Sequence, residues 1–284
     1  MTFEYWYLFP LSVLIATTAM ASGIGGAVFF SPLFILVLKL EPSVAIGTAL
    51  TTELFGFSSG LFAYWRRRLI DFELGRDLLR FSVPAAIVGS LTAEAFPAAV
   101  LKTIFAVGII FIGSQLYSSL KREEREKLDE EIKDEAQREC ESLLVDRAGT
   151  EYCYTIRRKD QGRLFAAIGG AFLGAISVGL AELQEYHLMV RCRVPSPVAV
   201  ATSIFVVVVS VLVASLGHFY HFATSADPQM LTQVRSVVMF TIPGVIVGGQ
   251  LGPLVQARVN PDLVKLGIAI LFITVGIFML TTVV

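Results

Sequence analysis

Long apolar runs alternate with short charged or proline-rich breaks along this chain, and they define eight hydrophobic units. The units lie near residues 6–38, 44–65, 78–95, 98–119, 163–190, 198–220, 234–256 and 262–284. A bilayer core about 30 Å thick is spanned by roughly 20 apolar residues in a helix. Stretches such as Leu164–Leu180 and Val198–Leu216 meet that requirement. The pattern therefore predicts an all-α integral membrane protein. The start of the chain lacks the marks of a cleaved leader. Met1–Tyr7 carries no Lys or Arg, and the apolar run continues past any cleavage point, so a retained membrane segment is expected.

Between the fourth and fifth units the character changes. Residues 121–163 hold 13 of the 24 acidic and 11 of the 23 basic residues. Leu128, Ile132, Ala136 and Cys140 recur at four-residue spacing, so a charged helix here has one packing stripe. Two β-prone runs flanking Asp146-Arg-Ala-Gly149 predict a small hairpin. The expected organisation is a first membrane repeat over 1–120, a soluble cytoplasmic insert over 121–162 and a second repeat over 163–284. The insert reads equally well as a cap, an oligomer contact or a solvated linker.

The two bundles of four units are homologous. Ala45-Ile-Gly-Thr48-Ala returns as Ala199-Val-Ala-Thr202-Ser, 154 residues on. Pro84-Ala-Ala-Ile-Val-Gly89 returns as Pro243-Gly-Val-Ile-Val-Gly248, 159 residues on. Val100-Leu-Lys102 returns as Leu263-Val-Lys265, 163 residues on. Offsets that grow slowly, in order, are what a duplicated unit with small loop insertions produces. Duplicated membrane bundles commonly carry a substrate site at the repeat interface.

The first unit of each repeat is too long for one crossing. Residues 6–38 as a single helix would extend about 50 Å. Glycines in Ser22-Gly-Ile-Gly-Gly26 weaken the middle, and Ser177-Val-Gly-Leu-Ala181 stands at the matching place in the second half. Lys/Arg asymmetry favours re-entrant first units. If both turn back, 20 basic residues lie inside against 3 outside (Lys39, Lys102 and Arg235). Full crossings would split them 17 to 6. Re-entrant first units make the two repeats inverted.

The residues also carry a family resemblance. Gly23-Ile-Gly-Gly26 followed by Ser31-Pro32, Val44-Ala-Ile-Gly-Thr48 and Arg66-Arg-Arg-Leu-Ile-Asp71 resemble the first repeat of the TauE/SafE sulfite exporter family. Pro197-Val-Ala-Val-Ala-Thr-Ser203 and Ala214-Ser-Leu-Gly-His218 resemble its second. The resemblance covers both bundles and excludes the insert. It implies a secondary transporter of the plasma membrane, exporting sulfite, an organosulfonate or a related sulfur anion. One stretch departs from the pattern. Gly179-Leu-Ala-Glu182-Leu-Gln-Glu185-Tyr186-His187 places two carboxylates where the family often has further glycines.

The chemistry divides accordingly. Helix N-termini at a break offer free N–H groups and the positive end of the dipole, which suits an oxyanion. Gly23, Gly25 and Gly26 allow close approach there, with Thr48, Thr202 and Ser203 as hydroxyl donors. Thr51, Thr52, Ser177, Gly179, Tyr186, His187 and His218 stand nearby in sequence. Glu53, Glu182 and Glu185 are costly at membrane depth and are assigned to proton coupling. The same carboxylates with His187 leave open a cation or metal transporter. Small-residue helix packing and hydroxyls bonded to their own backbone are the non-functional alternative.

No nucleophile–base spacing suggests an enzyme, no Gly-Lys-Ser/Thr follows the glycines, and no cofactor or resident metal is expected. At net charge −1 without a basic stripe, nucleic acid is not a partner. The expected partners are a small anion, the lipid bilayer and a second copy in a homo-oligomer. Cys140, Cys153 and Cys192 read as reduced thiols.

Overall fold

The computed structural model describes residues 5–22, 25–118, 122–136, 140–224, 228–256 and 261–282. Before the insert come α1 (Leu8–Ser22), α2 (Ala27–Leu36), α3 (Pro42–Arg67), α4 (Phe72–Ala95) and α5 (Ala98–Tyr117). The insert contributes α6 (Arg122–Ala136), β1 (Ser142–Val145) and β2 (Glu151–Tyr154). After it come α7 (Lys159–Ile176), α8 (Leu180–Val190), α9 (Ser196–Thr224), α10 (Pro228–Gln256) and α11 (Pro261–Thr281). Among the described residues, four stretches are both long and apolar enough to cross a membrane: Ala98–Tyr117, Ser196–Thr224, Met230–Leu251 and Leu263–Thr281. At 26 and 24 residues, α3 and α4 are long enough as well, with most of their charges near the junction of the two helices and Glu53 in the middle of α3. Large side chains such as Leu14, Phe62, Val107, Leu216 and Phe278 face outward, as a bilayer solvent permits.

Local signals explain the boundaries. Pro42 opens α3, and Arg68 closes it in the left-handed region at φ 58°. Asp71 caps α4, its Oδ1 accepting from the amides of Glu73 (3.0 Å) and Leu74 (2.9 Å). Both first units are broken. The helix stops at Ser22 and resumes at Ala27, then stops again at Ile176 and resumes at Leu180. Gly179 in the second break has φ +110°, a conformation that L side chains rarely adopt.

Packing pairs the segments before and after the insert. α1 lies along α10, while α7 lies along α4. Gly244 faces the Phe9 carbonyl and Gly248 that of Val13, so α1 and α10 run parallel. Gly170 meets Ser82 and Gly174 meets Ala86 in the same sense along α7 and α4. α3 faces α9, and α5 faces α11. Two polar contacts occupy matching junctions. Ser82 of α4 bonds Ser210 of α9 at 3.0 Å, and Thr241 of α10 bonds Thr52 of α3 at 2.8 Å.

The insert marks one end of the bundle. Its Arg147 amide donates to the Arg67 carbonyl (3.0 Å), and the Tyr154 hydroxyl donates to Asp71 Oδ2 (2.7 Å). Asp129 accepts from the Ser196 amide at the start of α9 (2.8 Å), and Glu131 pairs with Arg193 (2.9 Å). The Arg157 amide, just before α7, donates to the Cys192 carbonyl, just after α8 (3.0 Å). Residues 159–190 therefore leave the insert end and return to it. The start of α3, at Gly47, lies against His218 and Phe222 near the end of α9, which is the far end. Since α10 runs back toward the insert end with α1 parallel to it, α1 also runs toward the insert end from about midway along α10, and the chain reverses before α3 begins at the far end.

Within the insert, β1 and β2 pair antiparallel from Ser142↔Tyr154 to Val145↔Glu151. Ile132, on the stripe expected of α6, is buried. The insert is docked on the bundle through these contacts. The cysteines depart from expectation. Cys140 and Cys153 are joined as a disulfide, and only Cys192 is free. Sequence spacing of 13 residues conceals this pair, whereas the hairpin register sets Cys153 opposite Leu143, three residues from Cys140.

Candidate functional site

The two helix breaks meet, and carboxylates occupy the first. Glu53, in the middle of α3, is 4% exposed and accepts from the Ala27 amide at 3.0 Å through Oε1. Glu182, in the first turn of α8, accepts from the Gly25 amide at 3.1 Å. The N-terminal amides of α2 thus hold two acidic side chains arriving from opposite halves of the chain. Free N–H groups and the helix dipole make that end attractive to negative charge. A side chain at Gly25 would crowd these oxygens and force them to shift, since a methyl there would stand 2.9 Å from Glu53 Oε1 and 3.1 Å from Glu182 Oε1.

Further groups tie the breaks together. Ser31 of α2 and Ser177 of the second break share a hydrogen bond of 2.6 Å, and both are buried. Gln115 of α5 donates to the Glu182 carbonyl at 3.5 Å. Among the described residues Glu53 Oε2 is buried without a hydrogen-bond partner, the kind of atom that a proton, a cation or a bound solute would satisfy. Beside it lies a void of about 20 Å³ lined in part by Gly26, Met20, Phe57 and Val245. That is room for roughly one water molecule. Among the described residues no three His, Cys, Asp or Glu side chains are grouped to hold a metal ion.

The expected site residues separate into those at this junction and those elsewhere. Gly25, Gly26, Glu53, Ser177, Gly179 and Glu182 gather at the breaks. Gly23 lies outside the described residues. Thr48 donates to its own Val44 carbonyl (2.6 Å) and Thr51 to Gly47 (2.8 Å). Thr52 bonds Thr241 and the Thr48 carbonyl (3.0 Å). Thr202 accepts from the Asp71 amide at the insert end (3.0 Å), while Thr48 lies near the His218 end of α9. Along α9, positions 202 and 218 are about 24 Å apart, so Thr48 and Thr202 do not face one solute. Ser203 is buried, and among the described residues its hydroxyl has no partner.

Glu185 pairs with Arg125 of the insert at 3.4 Å rather than joining Glu182. His218 bonds the Gly174 carbonyl at 3.0 Å. Tyr186 and His187 line a separate cavity toward the insert end. Ser31 and Gln115 are the members that sequence reasoning missed. Ser31 follows the glycines by one helical turn, a usable signal, whereas nothing in the sequence around Gln115 points to Glu182.

The family profile described as Sulfite exporter TauE/SafE matches residues 8–279, which includes both breaks, both carboxylates and all the paired helices. The chain belongs to the TauE/SafE sulfite exporter family. Among curated proteins, it is similar to the probable membrane transporter protein YunE of Bacillus subtilis (strain 168). They are 25% identical over 276 residues, covering 95% of this chain and 94% of that protein. It is also similar to the probable membrane transporter protein YjnA of the same organism, 40% identical over 81 residues, covering 27% of this chain and 30% of that one. No solved structure matches it. As a TauE/SafE protein, this chain is a multi-pass membrane transporter and not an enzyme.

Proposed function

We propose that this TauE/SafE protein is a proton-linked secondary transporter that exports a small sulfur-containing oxyanion such as sulfite or an organosulfonate. The observation that carries the reading is the pair of carboxylates on the α2 amides. Those amides are what an oxyanion would use, so carboxylate and cargo compete for the same donors. A carboxyl that takes up a proton loses its negative charge and its grip on the N–H groups, freeing them for the anion. Glu53 and Glu182 would then trade protons against cargo, while Glu185 stays tied to Arg125.

The reading places the chain in the plasma membrane as two inverted repeats, with both first units re-entrant and the insert in the cytoplasm. Supporting this, residues 159–190 leave and return to the insert end, and the first unit reverses direction between α1 and α3. The Lys/Arg distribution concentrates basic residues at the insert end, as the positive-inside tendency requires.

Transport in proteoliposomes tests it, with sulfite, thiosulfate, sulfoacetate, sulfate and divalent cations offered with and without a pH gradient. A gradient-dependent response to one sulfur anion is expected. Glu182→Gln and Glu53→Gln should keep anion exchange and lose the dependence on the gradient. The unpartnered Oε2 of Glu53 favours one rival, a cation held between the two carboxylates. Silence toward every anion, with a cation response abolished by Glu182→Gln, would establish that rival.

A further inference from the structure

A second cavity opens at the insert end between α5, α7 and α8, with a volume of about 650 Å³. It is far larger than the void beside Glu53, and two unlike surfaces line it. Arg158, before α7, and Arg191, after α8, bring two exposed guanidinium groups to its mouth. Phe111, Leu164 and Leu183 supply an apolar wall, and the first two are exposed on the outer face of the bundle. His187 lines the cavity from α8, stacked on Phe165 with ring centroids 4.0 Å apart. His187 is only 5% exposed, and among the described residues its Nε2 is buried without a hydrogen-bond partner.

Several other arginines at this end are matched with acids. Arg125 pairs with Glu185, Arg157 with Glu135, Arg163 with Asp77 and Arg193 with Glu131. Among the described residues, Arg158 and Arg191 enter no ion pair. Two unmatched guanidinium groups and an unsatisfied imidazole nitrogen around one cavity form a receptor for a tetrahedral oxyanion, which guanidinium binds bidentately. Its apolar, outward-facing side suits acyl chains more than a bare ion.

We propose that this cavity binds the phosphate of an acidic phospholipid from the leaflet at the insert end, with its chains against Phe111 and Leu164. Basic pockets between membrane helices are suited to such headgroups. The site borders α8 at Leu183, Tyr186 and His187, one turn beyond Glu182, so a bound lipid would steady the half-helix that carries that carboxylate. The proposal holds whichever solute is carried.

Native mass spectrometry of the detergent-purified protein tests it, with dioleoylphosphatidylglycerol and dioleoylphosphatidylcholine offered at equal concentration. A preference of about tenfold or more for the acidic lipid is expected from two guanidinium groups. Arg158→Gln/Arg191→Gln should abolish it. The control Arg66→Gln/Arg76→Gln, which removes the same charge from the same end, should retain it. Equal retention of the two lipids by the unaltered protein, or equal loss in both double variants, would overturn the site. Displacement of the lipid by millimolar inorganic phosphate would assign the cavity to a soluble anion and overturn the lipid.

Discussion

The hydrogen bond between Ser31 and Ser177 is the most direct link between the two helix breaks, and a double-mutant cycle measures it. Both side chains are buried and their oxygens are 2.6 Å apart. Removing one hydroxyl leaves the other without its partner across the junction. Hydrogen bonds between membrane helices are worth about 0.6 kcal/mol on average and up to about 1.7. Full burial and the short distance place this one in the upper half of that range, so Ser31→Ala and Ser177→Ala should each cost about 1–2 kcal/mol. Ser177 already carries its Cβ at φ 57°, so alanine adds no new backbone strain there. The double variant should cost less than the sum of the singles by about 1 kcal/mol, roughly a fivefold difference in equilibrium constant. Unfolding in mixed micelles, followed by the fluorescence of Trp6 and Trp65, gives the four free energies. Singles that add to the double within about 0.3 kcal/mol, the usual tolerance for independent sites, would refute the link between the breaks.

Other predictions use different parts of the molecule. Gly248→Val would push a Cβ to 2.5 Å from the Val13 carbonyl oxygen and 2.7 Å from Ala16 Cβ, whereas Gly267 has nothing within 4 Å. Gly248→Val should therefore destabilise by about 1–3 kcal/mol or more, visible as a lower melting temperature, while Gly267→Val should shift it far less. Asp146 in the hairpin turn accepts from the Ala148 and Thr150 amides, both at 2.8 Å, and the Thr150 contact foremost holds its carboxyl below the ordinary range. With the folded value depressed, the turn is steadied above the unfolded pKa of about 3.9. That support is lost as pH falls through the lower, folded value. Protection of those two amides should fall with acidification below pH 4, measured by hydrogen exchange against Asp146→Asn. Burial pushes the Cys192 thiol up to about 11, and the side chain is 1% exposed. It should resist maleimide at pH 7.5 in native protein from either side and react on denaturation. Ready labelling in native protein would contradict its place under Gly162.

Much of this fold is legible in the chain because membrane helices announce themselves by composition. The eight apolar units correspond to the bundle elements, and the glycines at 25–26 and 179 fall at real interruptions. The Asp146-Arg-Ala-Gly149 turn lies where β-prone runs flank it. The site is less legible, for a geometric reason. Thr48 and Thr202 match in sequence, yet each sits toward a different end of the bundle, so equivalence in a repeat does not imply convergence on a ligand. Glu182 and Glu185 are three residues apart on one short helix. One reaches the α2 amides, whereas the other finds Arg125 of the insert. That division depends on tertiary partners more than 50 residues distant. The Cys140–Cys153 bond and the meeting of Arg158 and Arg191 at one cavity likewise exist only once the hairpin and both broken first units are in place.

The lengthwise pairing of α1 with α10 has a consequence for biogenesis. About 200 residues separate the end of α1 from the start of α10, which at roughly 5–20 residues per second is about 10–40 s of synthesis. Throughout that interval the first hairpin sits in or near the translocon without its main neighbour, its broken backbone poorly tolerated by lipid. Glu53 emerges only 26 residues after Ala27 and can cover the first amide at once. The Gly25 amide must wait for Glu182, 157 residues later. Early in its life, then, Glu53 serves as a placeholder inside a half-built bundle. A nascent chain arrested before Pro228 should be sensitive to its loss in a way that the finished protein is not.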